Sequence, residues 1–353
     1  MSTTPPQSPA QSPLQTSPHN SQPRSMLEAP PASAQARFGA DFGQRVLLTV
    51  DTEEEFDWSA PFQRDGYGLS HVAQLARFQA FCEEIGAHPV YLVDWPIANE
   101  PRAVEVIADA IKRGVAEIGV QLHPWVNPPF DEEVNALNSF AGNLPPDLES
   151  AKFTTLRDRV EEAFGAAPLI YRAGRYGVGP HTAAMLRDNG VVIDSSVRSL
   201  FDYSAQGGPD FSNHPLTPYW LDEAHSVLEL PVTTAYWGPL RRQGKQLHRL
   251  QRHVPTMFAA FSRLGLLERI ALTPEGVTVS EAIRGIDIAL DDGLPLLVLS
   301  FHSPTLAPGC TPYTKDEAQV EALYAWFREI YAYLAKRGVR NVTLPQIIAA
   351  ART

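Results

Sequence analysis

RVLLTVDTEEEFDW, residues 45–58, opens with four apolar side chains in the five positions from Val46 to Val50 and ends in carboxylates. A run of this kind reads as a short strand buried on both faces, since a half-buried strand would alternate apolar with polar residues. It stops at Asp51, Glu53, Glu54, Glu55 and Asp57, so a buried strand delivers acidic groups to its C-terminal end. An acidic surface turn would look the same in isolation, but the pattern recurs. Apolar runs at Arg45 to Asp51, His88 to Asp94, Glu117 to His123, Leu169 to Gly174, Gly190 to Ser196 and Leu294 to His302 predict six strands, with a seventh at Val227 to Thr233.

Helical patterns lie between them. Ser70 to Gly86 carries Val72, Leu75, Phe78, Phe81, Cys82 and Ile85 on one face, and Pro101 to Arg113, Glu149 to Phe164 and His181 to Asn189 are each followed by a glycine, the residue helix ends prefer. Alternating strand and helix with short links implies parallel strands with right-handed crossovers, hence an α/β barrel or an open doubly wound sheet. Polar residues sit at strand after strand tip: Asp51 with Glu53, Asp94, His123, Arg172 with Arg175, Asp194 with Ser195, His302 with Ser303. A doubly wound sheet gathers its site at one switch point, whereas a barrel draws on many tips, so the barrel is expected. Neither G-x-G-x-x-G after the first strand nor G-x-x-x-x-G-K-[ST] occurs, which removes the common nucleotide-binding readings.

Composition bounds the rest. The 353 residues are 44% hydrophobic and carry 29 basic against 40 acidic groups, a net charge of −11 that argues against nucleic acid or an anionic membrane as partner. Two cysteines, no apolar run long enough to span a bilayer and no signal-peptide pattern at the start lead to the expectation of a cytoplasmic protein without disulfides. Residues 1–36 hold eight of the 31 prolines with much Ser, Gln and Ala, and are expected to be a disordered tail before one domain over 37–353. Residues 199–295 read as an irregular insertion. It holds an aromatic passage with Trp220 and Trp237, candidates to stack on sugar rings, a basic segment from Arg241 to Arg252, and a helical spacing from Leu247 to Leu267.

A carboxylate pair two residues apart at one tip, with His123 and His302 from two others, could hold a divalent metal and supply a base and an acid. Both histidines end apolar runs and are followed by proline directly or one residue later, which turns the chain over the rim. His71, His88 and His253 sit in helix or strand-start positions and are read as structural.

The segments TVDTEEEFDW, EIGVQLHPWVNPP, YRAGRYG, DSSV and LSFHSP, in this order, resemble the motifs of the NodB-like polysaccharide deacetylases, a carbohydrate esterase family, and most closely its WalW-type bacterial branch, over residues 43–350. The resemblance implies a distorted (β/α) barrel and metal-dependent removal of an N-acetyl or O-acetyl group from a sugar in surface-polysaccharide or lipopolysaccharide metabolism. By it, Asp51 is the general base, Arg172 the cation that keeps it ionised and oriented, His302 the acid, and Asp194 the partner of that imidazole. Glu53 and His123 are metal ligands. The family's second histidine is replaced by Asn127, and the position two before His123 is Gln121; with one His, one Glu and the amide oxygen of Asn127 as ligands, the ion, Zn²⁺ first with Co²⁺ or Mn²⁺ as substitutes, would meet an oxygen-rich site. Trp125, Arg175, Tyr176 and Ser303 would line the groove for the acetylated saccharide. Two alternatives stay open on the altered second motif: an allantoinase or cyclic-imide type of amide hydrolase, and a non-catalytic carbohydrate-binding protein on the same fold.

Overall fold

In the computed structural model, described for residues 23–351 apart from 58, 245 and 248–259, the predicted strands assemble into one curled sheet. In chain order the strands are β1 (Arg45–Thr52), β2 (Pro89–Val93), β3 (Glu117–Leu122), β4 (Ile170–Ala173), β5 (Ile193–Asp194), β6 (Tyr219–Trp220), β7 (Leu228–Glu229), β8 (Thr234–Trp237), β9 (Glu268–Ala271), β10 (Leu296–His302) and β11 (Arg340–Asn341). Across the main sheet they run β10-β1-β2-β3-β4-β5-β7-β6, with β11 against β1, while β8 and β9 form a separate antiparallel pair. From β10 to β7 every pairing is parallel. Parallel neighbours need crossovers, and the helices Leu75–Glu84, Pro101–Lys112, Pro146–Phe164 and Thr182–Asp188 supply those between β1 and β5.

The result is a half-barrel whose far side is closed by single bonds instead of a ladder. Beyond β7 the chain curls back to the free edge of β10, where the Thr233 N–H donates to the Val298 carbonyl at 3.2 Å and the Ser300 N–H to the Leu272 carbonyl at 3.2 Å. Period-two alternation then divides the strands. Leu47, Val90, Leu92, Ile170, Ile193, Leu228, Leu296 and Val298 pack together inside the curl, sealed below by Phe42, Leu344 and Ile347. Val46, Leu48, Val50, Tyr91, Val120, Tyr171, Leu297 and Leu299 face outward onto the helices. Burying each such Val or Leu contributes about 1.5–3 kcal/mol. On the inner face each strand changes from apolar to polar toward its C-terminal end, as in Leu47–Thr49–Asp51 and Val298–Ser300–His302. That gradient builds a polar bowl on an apolar plug.

Three sequence expectations change. Residues 24–36, expected to belong to the disordered tail, are packed: Met26 is buried, the Arg24 N–H donates to Leu221 O at 2.9 Å, and the Ala36 N–H donates to Pro218 O at 2.9 Å beside a Gln35–Tyr219 bridge. The reason is that β6 is an edge strand, whose unpaired backbone groups accept a chain with few apolar residues. The strands expected at Gly190 to Ser196 and Val227 to Thr233 are two-residue pairings, and the span from Ser70 begins as a 3₁₀ turn before the helix Leu75–Glu84. Most of the helix expected over Leu247 to Leu267 lies outside the described residues, as do Trp58, Lys245, Arg249 and Arg252. Among the described residues no helix is long and apolar enough to cross a membrane.

Candidate active site

The parallel register of β1 and β10 sets Asp51 opposite His302, and that of β3 and β4 sets Gln121 opposite Arg172. All four face the bowl. Arg172 reaches across it: one guanidinium nitrogen pairs with Asp51 and donates to Ser300 Oγ at 2.8 Å, while Nε and the other nitrogen bond the Ser195 carbonyl and hydroxyl at 2.8 and 2.9 Å. Both members of the pair are about 1% exposed. A buried ion pair is tolerable only when its remaining donors are satisfied, and Ser195 and Ser300 satisfy them. Asp51 and Arg172, expected from sequence to act as base and cation, are thus brought together.

His302 Nε2 lies 3.8 Å from Asp51 Oδ2, and its Nδ1 lies 2.7 Å from Glu275 Oε2. Glu275 also accepts the His302 backbone N–H at 3.1 Å and the Thr305 hydroxyl at 2.6 Å. Burial resists charge on this imidazole, but Glu275 first, then Glu53 and Asp51, push it up to about 10. Glu275, although buried, is held below its ordinary value by the same histidine. Asp194 is not the partner of His302. The alternation that turns Ile193 and Ser195 inward turns Asp194 outward, where it bonds Ser196 Oγ at 2.7 Å and stands in register with Glu229. Burial raises both carboxyls of this outward pair.

Glu53 Oε2 accepts from Gln121 Nε2 at 2.9 Å and lies 3.4 Å from His123 Nε2. Burial pushes Glu53 up to about 8 against the pull of His302 and His123. On its far side His123 is fixed. Its Nδ1 lies 2.8 Å from Glu54 Oε2, its ring stacks on Trp125 at 4.4 Å, and Trp125 Nε1 donates to Glu54 Oε1 at 2.8 Å. Gly174 leaves room for the ring, since a Cβ there would stand 2.3 Å from His123 Cδ2. Asp94 accepts the Glu54 N–H at 2.8 Å, and burial raises both acids, Asp94 well above its ordinary range.

Two buried atoms in this set, His123 Nε2 and Gln121 Oε1, have no hydrogen-bond partner. Donors each about 2.1 Å from one ion and separated by a near-tetrahedral angle stand roughly 3.4 Å apart, which matches the Glu53–His123 separation. A ligating histidine also donates its other N–H to a carboxylate, the place Glu54 takes. The residues therefore fit a divalent cation held by Glu53 and His123 with the Gln121 amide. A different grouping, Glu54, Asp94 and His123, brings ligand atoms within 4.8 Å, but Glu54 already accepts the Trp125 N–H, and Asp94 accepts the backbone N–H groups of Glu54 and Ile97.

Other expected residues stand elsewhere. Asn127 does not line the cavity: its amide donates to the Pro128 and Lys152 carbonyls at 2.6 and 2.9 Å. Trp125 lies behind His123, and Trp220 is in the inner core, so neither faces the bowl. Trp237 stacks under Arg284 at 4.4 Å. Ser303 is fully buried, accepting the Glu53 N–H at 3.3 Å and lying 3.0 Å from His71 Nε2, whose Nδ1 is 3.0 Å from Glu55. The order Ser303–His71–Glu55 is that of a nucleophilic triad, yet no substrate reaches Ser303, so the chain of bonds positions Glu53. Arg175 and Tyr176 do form wall, both at positive φ (56° and 59°). The cavity holds about 300 Å³. Glu275, Glu54 and Arg198 were not identified from sequence; Glu275 and Arg198 fall at or near the insertion, where no strand tip marks them.

No protein-family model matches the chain, and no curated protein matches it. Among solved structures, one from Mycobacterium smegmatis, provisionally assigned as a polysaccharide deacetylase, aligns with TM-score 0.52 and 21% identity over 92% of this chain and 95% of that one. The 4-alpha-glucanotransferase of Thermococcus litoralis gives 0.46 and 13% over 86% and 38%. A family 4 acetyl xylan esterase from Clostridium thermocellum, in complex with a cobalt ion, gives 0.40 and 13% over 87% and 91%. The first likeness shows a common α/β fold.

Proposed function

We propose that this chain is a hydrolase of the NodB-like polysaccharide deacetylase type, removing an acetyl group from an acetylated saccharide. The observation that carries the reading is the facing of two charged pairs, Asp51 with Arg172 and His302 with Glu275, across 3.8 Å of cavity floor. One is built to accept a proton and the other to give one. Asp51 takes the proton of the attacking water, with Arg172 fixing the direction of its free oxygen. His302, kept protonated by Glu275, gives its proton to the departing sugar nitrogen or oxygen. Glu53 and His123, with Gln121 beside them, would hold a divalent ion, Zn²⁺ before Co²⁺ or Mn²⁺, which when bound supplies Lewis acidity toward the acetyl carbonyl. Tyr176 and the wall around it would orient the sugar ring. Two free cysteines, Cys82 and Cys310, support a reducing, cytoplasmic setting.

The test is a mass-spectrometric screen of N- and O-acetylated oligosaccharides for product lacking one acetyl group. Product formed by the wild type and not by Asp51→Asn supports the reading; intact substrates throughout, with added metal, overturn it.

A further inference from the structure

Arg198 stands in the cavity wall with most of its hydrogen-bonding capacity unused. Its guanidinium lies 4.1 Å from the Phe201 ring centroid and 5.3 Å from that of Tyr176, and a single long bond of 3.3 Å runs to the Tyr203 hydroxyl. Its Nε is buried without a partner. Arg269 covers Phe201 as well, at 3.6 Å, and donates to the Leu200 carbonyl at 2.9 Å. Arg175, also lining the cavity, donates to Ser139 and Gln206 and rests over Phe140 at 4.0 Å. Among the described residues no carboxylate lies within ion-pair distance of Arg198 or Arg175; Glu275, held by His302 and Thr305, acts on Arg198 only from farther off. This is unusual chemistry for a chain with net charge −11. A half-buried guanidinium is normally paired, because aromatic faces alone do not replace the hydration it loses. The ring of Tyr176 meanwhile lies within electrostatic range of both Arg198 and the Asp51–Arg172 pair, so the unpaired cation and the reacting floor belong to one cavity.

We infer that Arg198 is the subsite for an anionic group on the saccharide, and that the substrate class is therefore an acidic acetylated sugar, its carboxylate or phosphate carried close to the acetyl group. The planar fork of arginine suits both anions, each of which accepts two parallel N–H donors. This rests on the deacetylase reading for what happens at the floor, but not for the binding itself.

The experiment measures binding by calorimetry with three probes: N,N′-diacetylchitobiose, which is neutral, a disaccharide of N-acetylglucosamine and glucuronate, and N-acetylglucosamine 1-phosphate. The proteins are the full chain as wild type, Arg198→Gln and Arg198→Lys, each checked by thermal melt, with acetate release followed in parallel. The expected result is that one or both anionic probes bind the wild type at least tenfold more tightly than the neutral one. Arg198→Gln should erase that preference, weakening the anionic probes by at least tenfold more than the neutral one, and Arg198→Lys should keep part of it. Preference for the glucuronate probe assigns a carboxylate, and preference for the 1-phosphate assigns a phosphate. Equal affinity for all three probes, or equal loss for all three in Arg198→Gln with Arg198→Lys no better, overturns the inference. Anion preference without acetate release would leave the subsite standing and remove the deacetylase reading; acetate release without preference would do the reverse.

Discussion

Replacing Glu275 by Gln removes the charge that keeps His302 protonated and keeps the shape that holds it. With the imidazole at about 10, as burial opposed by Glu275, Glu53 and Asp51 leaves it, ~99% of the molecules carry the acid form at pH 8; at the ordinary value near 6.5 only ~3% would. Protonation alone therefore predicts a rate about 30-fold lower at pH 8, and a smaller deficit as pH falls toward 6. The linkage has a definite sign. A histidine raised in the fold contributes stability that is fully present below about 6.5 and is lost as pH rises through about 10, so the variant should lose stability at neutral pH and match the wild type at high pH. The assay is a pH profile of acetate release, accompanied by an NMR titration of the His302 ring in both proteins. A ring still titrating above about 9 in Glu275→Gln would refute the reasoning, because another group would then be supplying the charge.

Further outcomes follow from the same geometry. Arg172→Met leaves buried Asp51 with only the His302 imidazolium, 3.8 Å away, to oppose its charge and should cost up to roughly 3–5 kcal/mol in urea unfolding, more than Asp51→Asn costs, whereas an equal or smaller loss would show that the pair is not desolvated. Zn²⁺ added at about 100 times its dissociation constant should stabilise the wild type by about 2.7 kcal/mol, and neither His123→Ala nor Glu53→Gln should show the gain. In chelator, Glu53 raised to about 8 by burial makes the wild type lose stability as pH climbs from about 4.5 to 8, a slope that Glu53→Gln should lack. Ser303→Ala removes the acceptor of the Glu53 N–H and the neighbour of His71, so melting temperature and turnover should both drop, by about 1–3 kcal/mol in stability, with substrate affinity unchanged.

How far the sequence is legible follows from where each group sits. Asp51, Glu53, His123, Arg172 and His302 could be read because each ends or directly follows an apolar run, and a run buried on both faces leaves little doubt where its tip lies. Asp194 satisfied the same rule and was misplaced. The rule locates a strand end but not the face, and Ile193 between Asp194 and the inner core shows that parity decides. Glu275 could not be read at all: it reaches His302 from the loop before the helix Val279–Asp291, a contact that no local pattern announces. Asn127 entered the metal set only through the resemblance, as the residue standing where the family has its second histidine, while its amide is turned away onto the Lys152 carbonyl. His71 looked structural and is, but its bonds to Ser303 and Glu55 make it the support of Glu53 instead of a surface residue. Curling of the sheet is a global property, so a distorted (β/α) barrel was inferred from the tips and not from any one strand, and the sheet proves to be a half-barrel.

The most direct test of the account is the initial rate of acetate release from an acetylated oligosaccharide by wild type, Asp51→Asn and His302→Ala in the presence of divalent metal. The account predicts release by the wild type and a loss of at least ~100-fold in each variant, the scale of a general base or acid. Release that survives Asp51→Asn within a few fold would contradict it, because the reaction would then be occurring somewhere other than between Asp51 and His302.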